Sequence, residues 1–456
     1  MKEKKIFFCK ECGHESVRWI GKCPGCGGWN TFVAEPQPKA GKSTVRISFS
    51  SEQKEPRTLE EIEETSSGPR IECGIGELDR VLGGGVVPGS VLLLAGEPGI
   101  GKSTLMLLIA ASMAKQGIRV LYISAEESLS QVKLRALRLG IEPSVPLFFL
   151  PESDLGGIKE SLESFQPQMV AVDSIQLIAD SSLEYAAGSP FQVRENSWFF
   201  IEWAKQKNVP IFLIGHITKE GSIAGPKLLE HMVDVVLSFE GEQSSNLRIL
   251  RGLKNRFGAT DEIGVFTMEE DGLVEVPEAS TIFLSDRDEV LPGSVVFPAL
   301  EGRRVLMVEV QSLVAPTYLA MPRRTFTGLD YHRVNLVLAV LEKKLNIHLA
   351  SYDIYCSVSG GLKLSEPATD LAVAAAVLSS FKEIAPPPRT VFLGEIGLTG
   401  KVRQVPQVLG RVKEALRLGF TRAIIPPHGR EGLPSGIETV EVSWIQDLSA
   451  QLFAKD

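Results

Sequence analysis

The residues best suited to chemistry lie in one glycine-rich stretch near position 100. It follows the pattern G-x-x-x-x-G-K-[ST], in which glycine amides surround phosphate oxygens, the lysine neutralises phosphate charge and the hydroxyl reaches a magnesium ion. We therefore predict a site for ATP and Mg2+, with Lys102 on the β and γ phosphates and Ser103 on the metal. The predicted nucleotide-binding residues of this loop are Gly96, Glu97, Pro98, Gly99, Ile100, Gly101, Lys102, Ser103 and Thr104.

The sequence on either side of this loop predicts the elements that hold it. Residues 91–95 form an apolar run typical of a buried strand, and residues 105–115 predict a helix. A helix that starts beside the glycines turns its positive N-terminal end toward bound phosphate. The order of strand, loop and helix therefore favours a site over a chance glycine-rich turn.

Two further predicted strands end in carboxylates that a nucleotide site would use. Residues 119–124 are followed by Glu126 and Glu127, and residues 169–172 are followed by Asp173. The carboxyl ends of parallel strands share the edge of a sheet at which ligands bind. We predict that Asp173 holds the magnesium shell and that Glu126 or Glu127 orients and deprotonates the attacking water. The alternative for the two glutamates is a pair of solvated loop acids.

Three more polar residues follow predicted strands. His216 comes directly after the apolar strand at 211–215, where it would either sense the γ phosphate or serve the structure. Lys254 and Arg256 are two residues apart on an extended segment, so both side chains point to the same side. They would reach a phosphate of this chain or of a neighbour, or else form a solvated strand end.

Four of the six cysteines lie within the first 26 residues, in two C-x-x-C pairs separated by ten residues. Two such turns can close a tetrahedral four-thiolate zinc site. A segment this short cannot bury a useful core, so zinc, contributing on the order of 10 kcal/mol or more, would supply its folding free energy. The alternatives are dithiol redox pairs or a disulfide-linked knot. The predicted ligands of Zn2+ are Cys9, Cys12, Cys23 and Cys26.

Two tryptophans and several basic residues lie beside these cysteines. Trp19 and Trp29 are expected in the small core of the metal-binding unit, with stacking on exposed bases as the alternative.

Length and composition restrict the class of protein. A chain of 456 residues is long enough for roughly three domains. Its net charge of -8 argues against a uniformly basic coat for nucleic acid, so DNA contacts would come from local basic loops. No apolar run reaches the length of about 18 residues that crosses a bilayer. We expect a cytoplasmic protein with no membrane partner.

The chain is expected to divide into four segments. Strand and helix patterns alternate from residue 70 onward, which predicts two α/β domains after a Pro-, Ser- and charge-rich tether. An alanine-rich helix at 367–381 is apolar nearly all round and should be buried. The expected segments are a zinc ribbon at 1–33, a linker at 34–69, an ATPase domain at 70–278 and a C-terminal domain at 279–456.

These motifs, taken in order, resemble the bacterial RadA (Sms) family of DNA-repair proteins over essentially the whole chain. The resemblance rests on the cysteine ribbon, the phosphate loop, Asp173, the run Lys254-Asn255-Arg256-Phe257-Gly258 and a following Lon-protease-like domain. The five-residue run is the most specific of these. The resemblance implies a RecA-like ATPase core related to DnaB-type helicases. It also implies a homo-hexameric ring on single-stranded and branched DNA that drives branch migration beside a RecA-type recombinase.

The resemblance also implies roles for individual residues. Glu126 falls at the catalytic glutamate of RecA-type ATPases, and His216 falls at the γ-phosphate sensor. Lys254 and Arg256 would be offered to the nucleotide of the adjacent subunit, where such cations can raise the rate by about 10³ to 10⁵. The resemblance places DNA-binding loops at residues 178–194 and 217–227.

The C-terminal domain departs from the Lon-type proteases that it resembles. Ala368 falls where the serine nucleophile is expected and Leu409 where its lysine partner is expected, so the dyad is missing. Ser365 and Lys413 lie nearby and would replace it only in a different register.

Two other functions remain open at this stage. One is an ATP-dependent protease with a zinc module that recruits substrates. The other is a RecA-like signalling ATPase or kinase, against which stand the single phosphate loop and the lack of an internal repeat.

Overall fold

The structure, a computed structural model, describes most of the chain in two compact units, Met1–Pro277 and Glu278–Asp456. Most of the expected linker at 34–69 lies outside the described residues. The described residues are 5–9, 15–24, 27–36, 58, 69–183, 185–216, 228–241, 246–270, 272–278, 280, 284, 291–319, 321–427 and 432–453.

The N-terminal ribbon is a three-stranded antiparallel sheet in the order β2-β1-β3. Its central strand ends at Cys9, which is buried together with Cys23 and Phe32. Its strands are β1 Lys5–Cys9, β2 Glu15–Ser16 and β3 Phe32–Pro36.

The rest of the first unit is built on a nine-stranded sheet. Six strands run parallel in the order β9-β4-β8-β7-β5-β6, and β10, β11 and β12 extend this sheet antiparallel beyond β9. The strands are β4 Val91–Gly96, β5 Val120–Ser124, β6 Leu147–Leu150, β7 Met169–Asp173, β8 Ile211–His216, β9 Val235–Glu240, β10 Leu247–Asn255, β11 Ile263–Glu269 and β12 Gly272–Glu275.

Helices cover both faces of this sheet, because the central strands are apolar on both sides and must be shielded twice. The helix α2 packs in the core on one face, and α4 and α5 pack in the core on the other. The helices are α1 Gly76–Leu82, α2 Lys102–Lys115, α3 Leu129–Arg138, α4 Leu155–Phe165, α5 Pro190–Lys207 and α6 Leu228–Met232.

The strand order places the predicted site residues along one edge. The strand β8 is inserted between β4, which precedes the phosphate loop, and β7, which ends at Asp173. The register pairs Gly96 with His216 and Ser124 with Asp173, so the carboxyl ends of these four strands meet. A ligand at this edge would contact residues from four separate strands.

The predicted loop at 178–194 is wrong at its C-terminal end. The helix α5 begins at Pro190, so the last five residues of the segment that the resemblance assigns to a DNA-binding loop are helical. Ser189 caps the helix by accepting a hydrogen bond from the amide of Gln192. Pro190 suits the first turn because a backbone N–H at that position would have no acceptor within the helix, so proline loses no hydrogen bond there. These two capping residues were the available signal.

The second unit contains a seven-stranded mixed sheet in the order β15-β16-β14-β13-β17-β20-β21, with a separate pair of β18 and β19. The predicted alanine-rich helix is α8, and its residues from Asp370 to Ser379 are buried, which confirms the prediction. The strands are β13 Ser294–Glu301, β14 Arg304–Pro316, β15 Arg324–Thr327, β16 Tyr352–Val358, β17 Thr390–Phe392, β18 Glu395–Ile396, β19 Val402–Arg403, β20 Arg422–Ile425 and β21 Glu438–Glu441. The helices are α7 Tyr331–Leu345, α8 Asp370–Lys382, α9 Val408–Arg417 and α10 Ile445–Leu452.

A buried arginine links the segments that carry the missing protease dyad. The guanidinium of Arg411 is fully buried, forms an ion pair with Glu366 and donates a hydrogen bond to the carbonyl of Pro298. Ala368 is buried and lies two residues after Glu366 in the sequence, and Leu409 lies two residues before Arg411. A structural ion pair therefore joins the two segments in which a Lon-type protease would carry its catalytic groups.

None of the helices in the described part of the chain is long and apolar enough to cross a membrane.

Candidate nucleotide site

The phosphate loop joins β4 to α2 in a conformation that depends on its glycines. Gly99 and Gly101 have φ angles of 80° and 112°, which residues with a Cβ rarely adopt. Gly96 is constrained differently, because a Cβ there would lie 2.6 Å from the carbonyl oxygen of Phe239 on β9. A Cβ on Gly99 would meet nothing within 4 Å. The loop is thus tight against the sheet at Gly96 and open at Gly99, as a phosphate cradle requires.

An arginine from a distant strand supports this loop. Arg248 of β10 is buried, and its Nε donates a hydrogen bond to the carbonyl of Ile100 at 3.1 Å. Burial lowers its pKa, although an arginine remains charged at any physiological pH. No sequence pattern marks this residue, because the contact spans 148 positions.

Lys102 begins α2 and points back into the loop. Its side chain is only 4% exposed, and its Nζ donates hydrogen bonds to the carbonyls of Gly96 at 2.8 Å and Glu97 at 2.9 Å. Burial lowers the pKa of Lys102 to about 8, against the opposing influence of Asp173 and Glu126. At neutral pH the ammonium is mostly charged, so it can neutralise a phosphate at this position.

Asp173 ends β7 with its two carboxylate oxygens in different situations. The hydroxyl of Tyr122 on β5 donates a hydrogen bond to Oδ2 at 2.6 Å. Oδ1 is buried and has no hydrogen-bond partner within the described part of the chain. Such an atom is costly to bury unless a ligand or its water satisfies it. An unpartnered carboxylate oxygen opposite the phosphate loop fits a magnesium shell, since Mg2+ prefers oxygen ligands and keeps several waters.

The two neighbouring glutamates are held by different partners. The hydroxyl of Ser174 donates to Oε1 of Glu126 at 2.6 Å, which keeps this carboxylate beside the end of β7. Glu127 instead forms an ion pair with Arg135 of α3. Glu126, and not Glu127, is electrostatically coupled to the ammonium of Lys102. The geometry therefore favours Glu126 as the base near the nucleotide, a choice that spacing alone left open.

His216 ends β8, and its backbone pairs with that of Gly96 at the first residue of the phosphate loop. The structure describes the backbone of His216 and not the position of its side chain. Its predicted role as a γ-phosphate sensor stays a prediction.

Lys254 and Arg256 both contact one segment, residues 230–234, where α6 leads into β9. Lys254 Nζ donates hydrogen bonds to the carbonyls of Glu230, His231 and Val233 at 2.8, 3.1 and 2.7 Å. A lysine has three donors, so its hydrogen-bonding capacity is filled by this chain's own backbone. Burial is the main factor that lowers its pKa.

Arg256 is held more loosely than Lys254. Its Nη1 contacts Oδ1 of the buried Asp234 at 2.9 Å, while 47% of the arginine side chain stays exposed. Oδ2 of Asp234 accepts a hydrogen bond from the amide of Val91, at the start of the strand that leads to the phosphate loop. Arg256 therefore keeps one guanidinium nitrogen on Asp234 while nearly half of its side chain stays exposed, which suits a cation that reaches out of its own chain.

In the ribbon, one cysteine of each predicted pair is described. Cys9 and Cys23 are both buried, and the amide of Gly27 closes the second C-x-x-C turn by donating to the carbonyl of Cys23. Cys12 and Cys26 lie outside the described residues. Placing a thiolate from each turn in one small core fits the predicted four-thiolate site.

The expected burial of the two ribbon tryptophans is wrong. Trp19 is 53% and Trp29 is 70% exposed, and the core of the ribbon is formed by Cys9, Cys23 and Phe32 instead. Lys22 lies over the exposed ring of Trp29, with its Nζ 5.6 Å from the ring centroid, which is a cation–π contact on the surface of the ribbon.

Several residues of the site escaped prediction because they act through tertiary contacts. Tyr122, Ser174 and Arg135 hold the three acids, and Asp234 holds Arg256. The only available signals were the position of Ser174 directly after Asp173 and the single tyrosine in an otherwise aliphatic strand. The predicted DNA loop at 217–227 lies outside the described residues.

Comparison with known proteins matches three segments of the chain to family models. Family models match residues 7–34 (Rubredoxin metal binding domain), 56–222 (AAA domain) and 335–429 (Subunit ChlI of Mg-chelatase). These matches agree with an N-terminal metal-binding ribbon, a nucleotide-binding core and a separate C-terminal α/β domain, and confirm the predicted fold class.

Curated relatives match the chain nearly end to end. They carry the name DNA repair protein RadA, and include that of Bacillus subtilis, 50% identical over 97% of each chain, and that of Halalkalibacterium halodurans, 48% identical over 98% of each chain. The protein of Streptococcus pyogenes is 45% identical over 99% of this chain and 100% of its own. Among solved structures, a KaiC-like protein of Pyrococcus horikoshii is 19% identical over 46% of this chain and 99% of its own, with a TM-score of 0.39.

Proposed function

Because the chain belongs to the RadA family of DNA-repair proteins, we propose that it is an ATP-driven motor on single-stranded and branched DNA. The observation that carries this proposal is the convergence of Lys102, Asp173 and Glu126 at one edge of a parallel sheet. An ammonium, an unpartnered carboxylate oxygen and a second carboxylate are the groups that ATP hydrolysis needs.

Each group has a distinct role in this proposal. Lys102 neutralises the β and γ phosphates, and Asp173 with Ser103 would hold the magnesium ion, which supplies charge stabilisation when bound. Glu126 orients the attacking water and accepts its proton. His216 monitors the γ phosphate from the strand beside the phosphate loop. The buried position of Lys102 and Asp173 strengthens these interactions, since water screens them little.

The motor role adds assembly and DNA to this chemistry. We propose a homo-hexameric ring in the cytoplasm, with the loops at 178–189 and 217–227 on DNA and a RecA-type recombinase as partner. Arg256 would act on the nucleotide of the adjacent subunit. Its half-exposed side chain supports that role, whereas Lys254 would first have to leave its three carbonyls.

Measuring ATP hydrolysis with and without single-stranded DNA tests the motor. We expect stimulation by DNA and a steep loss of DNA binding as salt rises, because phosphate contacts release counterions. Branched substrates should be converted only when ATP is present. An ATPase rate that does not respond to DNA at low salt would refute the motor while leaving the nucleotide site intact.

We also propose that the ribbon binds one Zn2+ through Cys9, Cys12, Cys23 and Cys26. Elemental analysis of freshly reduced protein should find about one zinc per chain, and Cys23→Ala should lose it, because three thiolates bind zinc far less tightly than four. Cys356→Ala is the matched control, since Cys356 is equally buried but lies in the second unit. If freshly reduced wild-type protein contains no zinc, the four cysteines are better explained as dithiol redox pairs.

The C-terminal unit is proposed to serve assembly or DNA contact rather than proteolysis. Ala368 has no nucleophile to offer and is buried, and Ser365 and Lys413 are exposed. The ion pair of Glu366 and Arg411 is satisfied internally by Pro298. These features support a structural role for the region.

A further inference from the structure

The hydrogen bond between Tyr122 and Asp173 joins two buried groups at the heart of the site. The tyrosine is 2% and the aspartate 5% exposed, and the hydroxyl donates to Oδ2 at 2.6 Å. The other oxygen, Oδ1, is the buried atom without a hydrogen-bond partner in the described residues. One oxygen of this carboxylate is therefore fixed by the protein, and the other is left for a ligand.

Packing does not explain the hydroxyl. The ring of Tyr122 lies among apolar residues of the core and contacts Phe149 of the adjacent strand β6, with 5.7 Å between ring centroids. A phenylalanine would fill the same space without a polar atom, and burying a hydroxyl is unfavourable unless it is hydrogen-bonded. The hydroxyl finds its bond on the one carboxylate that the nucleotide site needs for its metal.

A carboxylate at the end of a short side chain rotates readily about its last torsion. A hydrogen bond to a charged acceptor is stronger than one between neutral groups and selects the orientation of the acceptor. Glu126 accepts its hydrogen bond from a different donor, Ser174. The hydroxyl of Tyr122 therefore orients Asp173, the proposed magnesium-binding carboxylate, and not Glu126, the proposed base.

We propose that Tyr122 is a positioning residue for magnesium: its hydroxyl fixes the Asp173 carboxylate so that Oδ1 stays available to the metal's ligand shell. The inference rests on the proposed function, since the metal arrives with ATP. Tyr122 contacts neither nucleotide nor metal in this role. It acts only through Asp173.

The test uses Tyr122→Phe, which keeps the ring and removes the hydroxyl. A fluorescent, non-hydrolysable ATP analogue is titrated into the full-length protein, once with Mg2+ and once with EDTA, without DNA. The affinity in EDTA should stay within about twofold of wild type, whereas the gain in affinity that Mg2+ provides should fall by about tenfold. Asp173→Asn supplies the reference, because it should remove most of that gain. Thermal melting checks that both variants fold.

The possible results separate this inference from the proposed function. An equal loss of affinity with Mg2+ and with EDTA would show that the hydroxyl only supports the fold, and an unchanged Mg2+ effect would show that it does nothing; either result overturns the inference alone. If wild-type protein gains no affinity from Mg2+, the proposed ATP site fails and the inference falls with it.

Discussion

Replacing Lys102 by alanine should abolish ATP turnover, with a fall of about 10³-fold or more, equivalent to about 4 kcal/mol in the activation barrier. The ammonium is buried at the base of the loop, where it donates hydrogen bonds to the carbonyls of Gly96 at 2.8 Å and Glu97 at 2.9 Å. Its loss also removes the positive charge that is coupled to Asp173 and Glu126. Steady-state ATPase measurements at saturating nucleotide would show the effect.

A second lysine of the same helix provides the control for this variant. Lys115 lies in the last turn of α2 and is exposed, so Lys115→Ala removes the same charge without touching the loop. Its turnover should match wild type. Melting curves of both variants would show whether the fold survives. Turnover by Lys102→Ala within tenfold of wild type would contradict the assigned role.

Arg256→Ala should cost about 10³-fold in hydrolysis if the arginine completes the site of a neighbouring subunit. Mixing gives the sharper result. In a ring, a Lys102→Ala subunit would lend its intact Arg256 to the intact phosphate loop of an Arg256→Ala subunit. Random mixing of equal amounts should then restore about one quarter of the interfaces, although each variant alone is inactive. ATPase assays on mixtures of the two proteins, dissociated and reassembled together, measure this recovery.

The structure indicates the control that the Arg256 variant needs. Removing the arginine leaves the buried carboxylate of Asp234 without its cation, which should cost about 1 to 3 kcal/mol in stability. Arg251→Ala on β10, the strand that ends one residue before Arg256, breaks a pair with the exposed Glu240 and should have little effect on stability or rate. If the mixture of Lys102→Ala and Arg256→Ala subunits hydrolyses ATP no faster than either variant alone, then Arg256 acts within its own chain and not on a neighbouring subunit.

The sequence predicts the nucleotide site well where the residues are close along the chain. The loop from Gly96 to Thr104 is specified by local spacing, and the strand that ends at Asp173 by a run of apolar residues. The helix after the loop and the strand that ends at Asp173 both begin and end within three residues of their predicted bounds. These features can be predicted from the sequence because the backbone amides and side chains that form them are only a few positions apart along the chain.

Contacts between distant strands could not be predicted in this way. The bonds from Tyr122 to Asp173 and from Ser174 to Glu126 each depend on the register between β5 and β7, which pairs Ser124 with Asp173. Spacing left Glu126 and Glu127 equivalent, and only the partner of each separates them. The family resemblance suggested the same choice without showing its physical cause.

The three carbonyls around Lys254 have a consequence for how the two ligands of a motor influence each other. They belong to the segment at 230–233, which leads from the proposed DNA loop at 217–227 into β9. Because its donors are filled, Lys254 can bind a phosphate only by releasing this segment. Thermodynamic linkage makes this effect reciprocal. A ligand that stabilises the ordered segment lowers the affinity of Lys254 for phosphate, and phosphate bound to Lys254 lowers the affinity for that ligand by the same factor. If DNA orders this segment, DNA and a phosphate bound by Lys254 would each weaken the binding of the other.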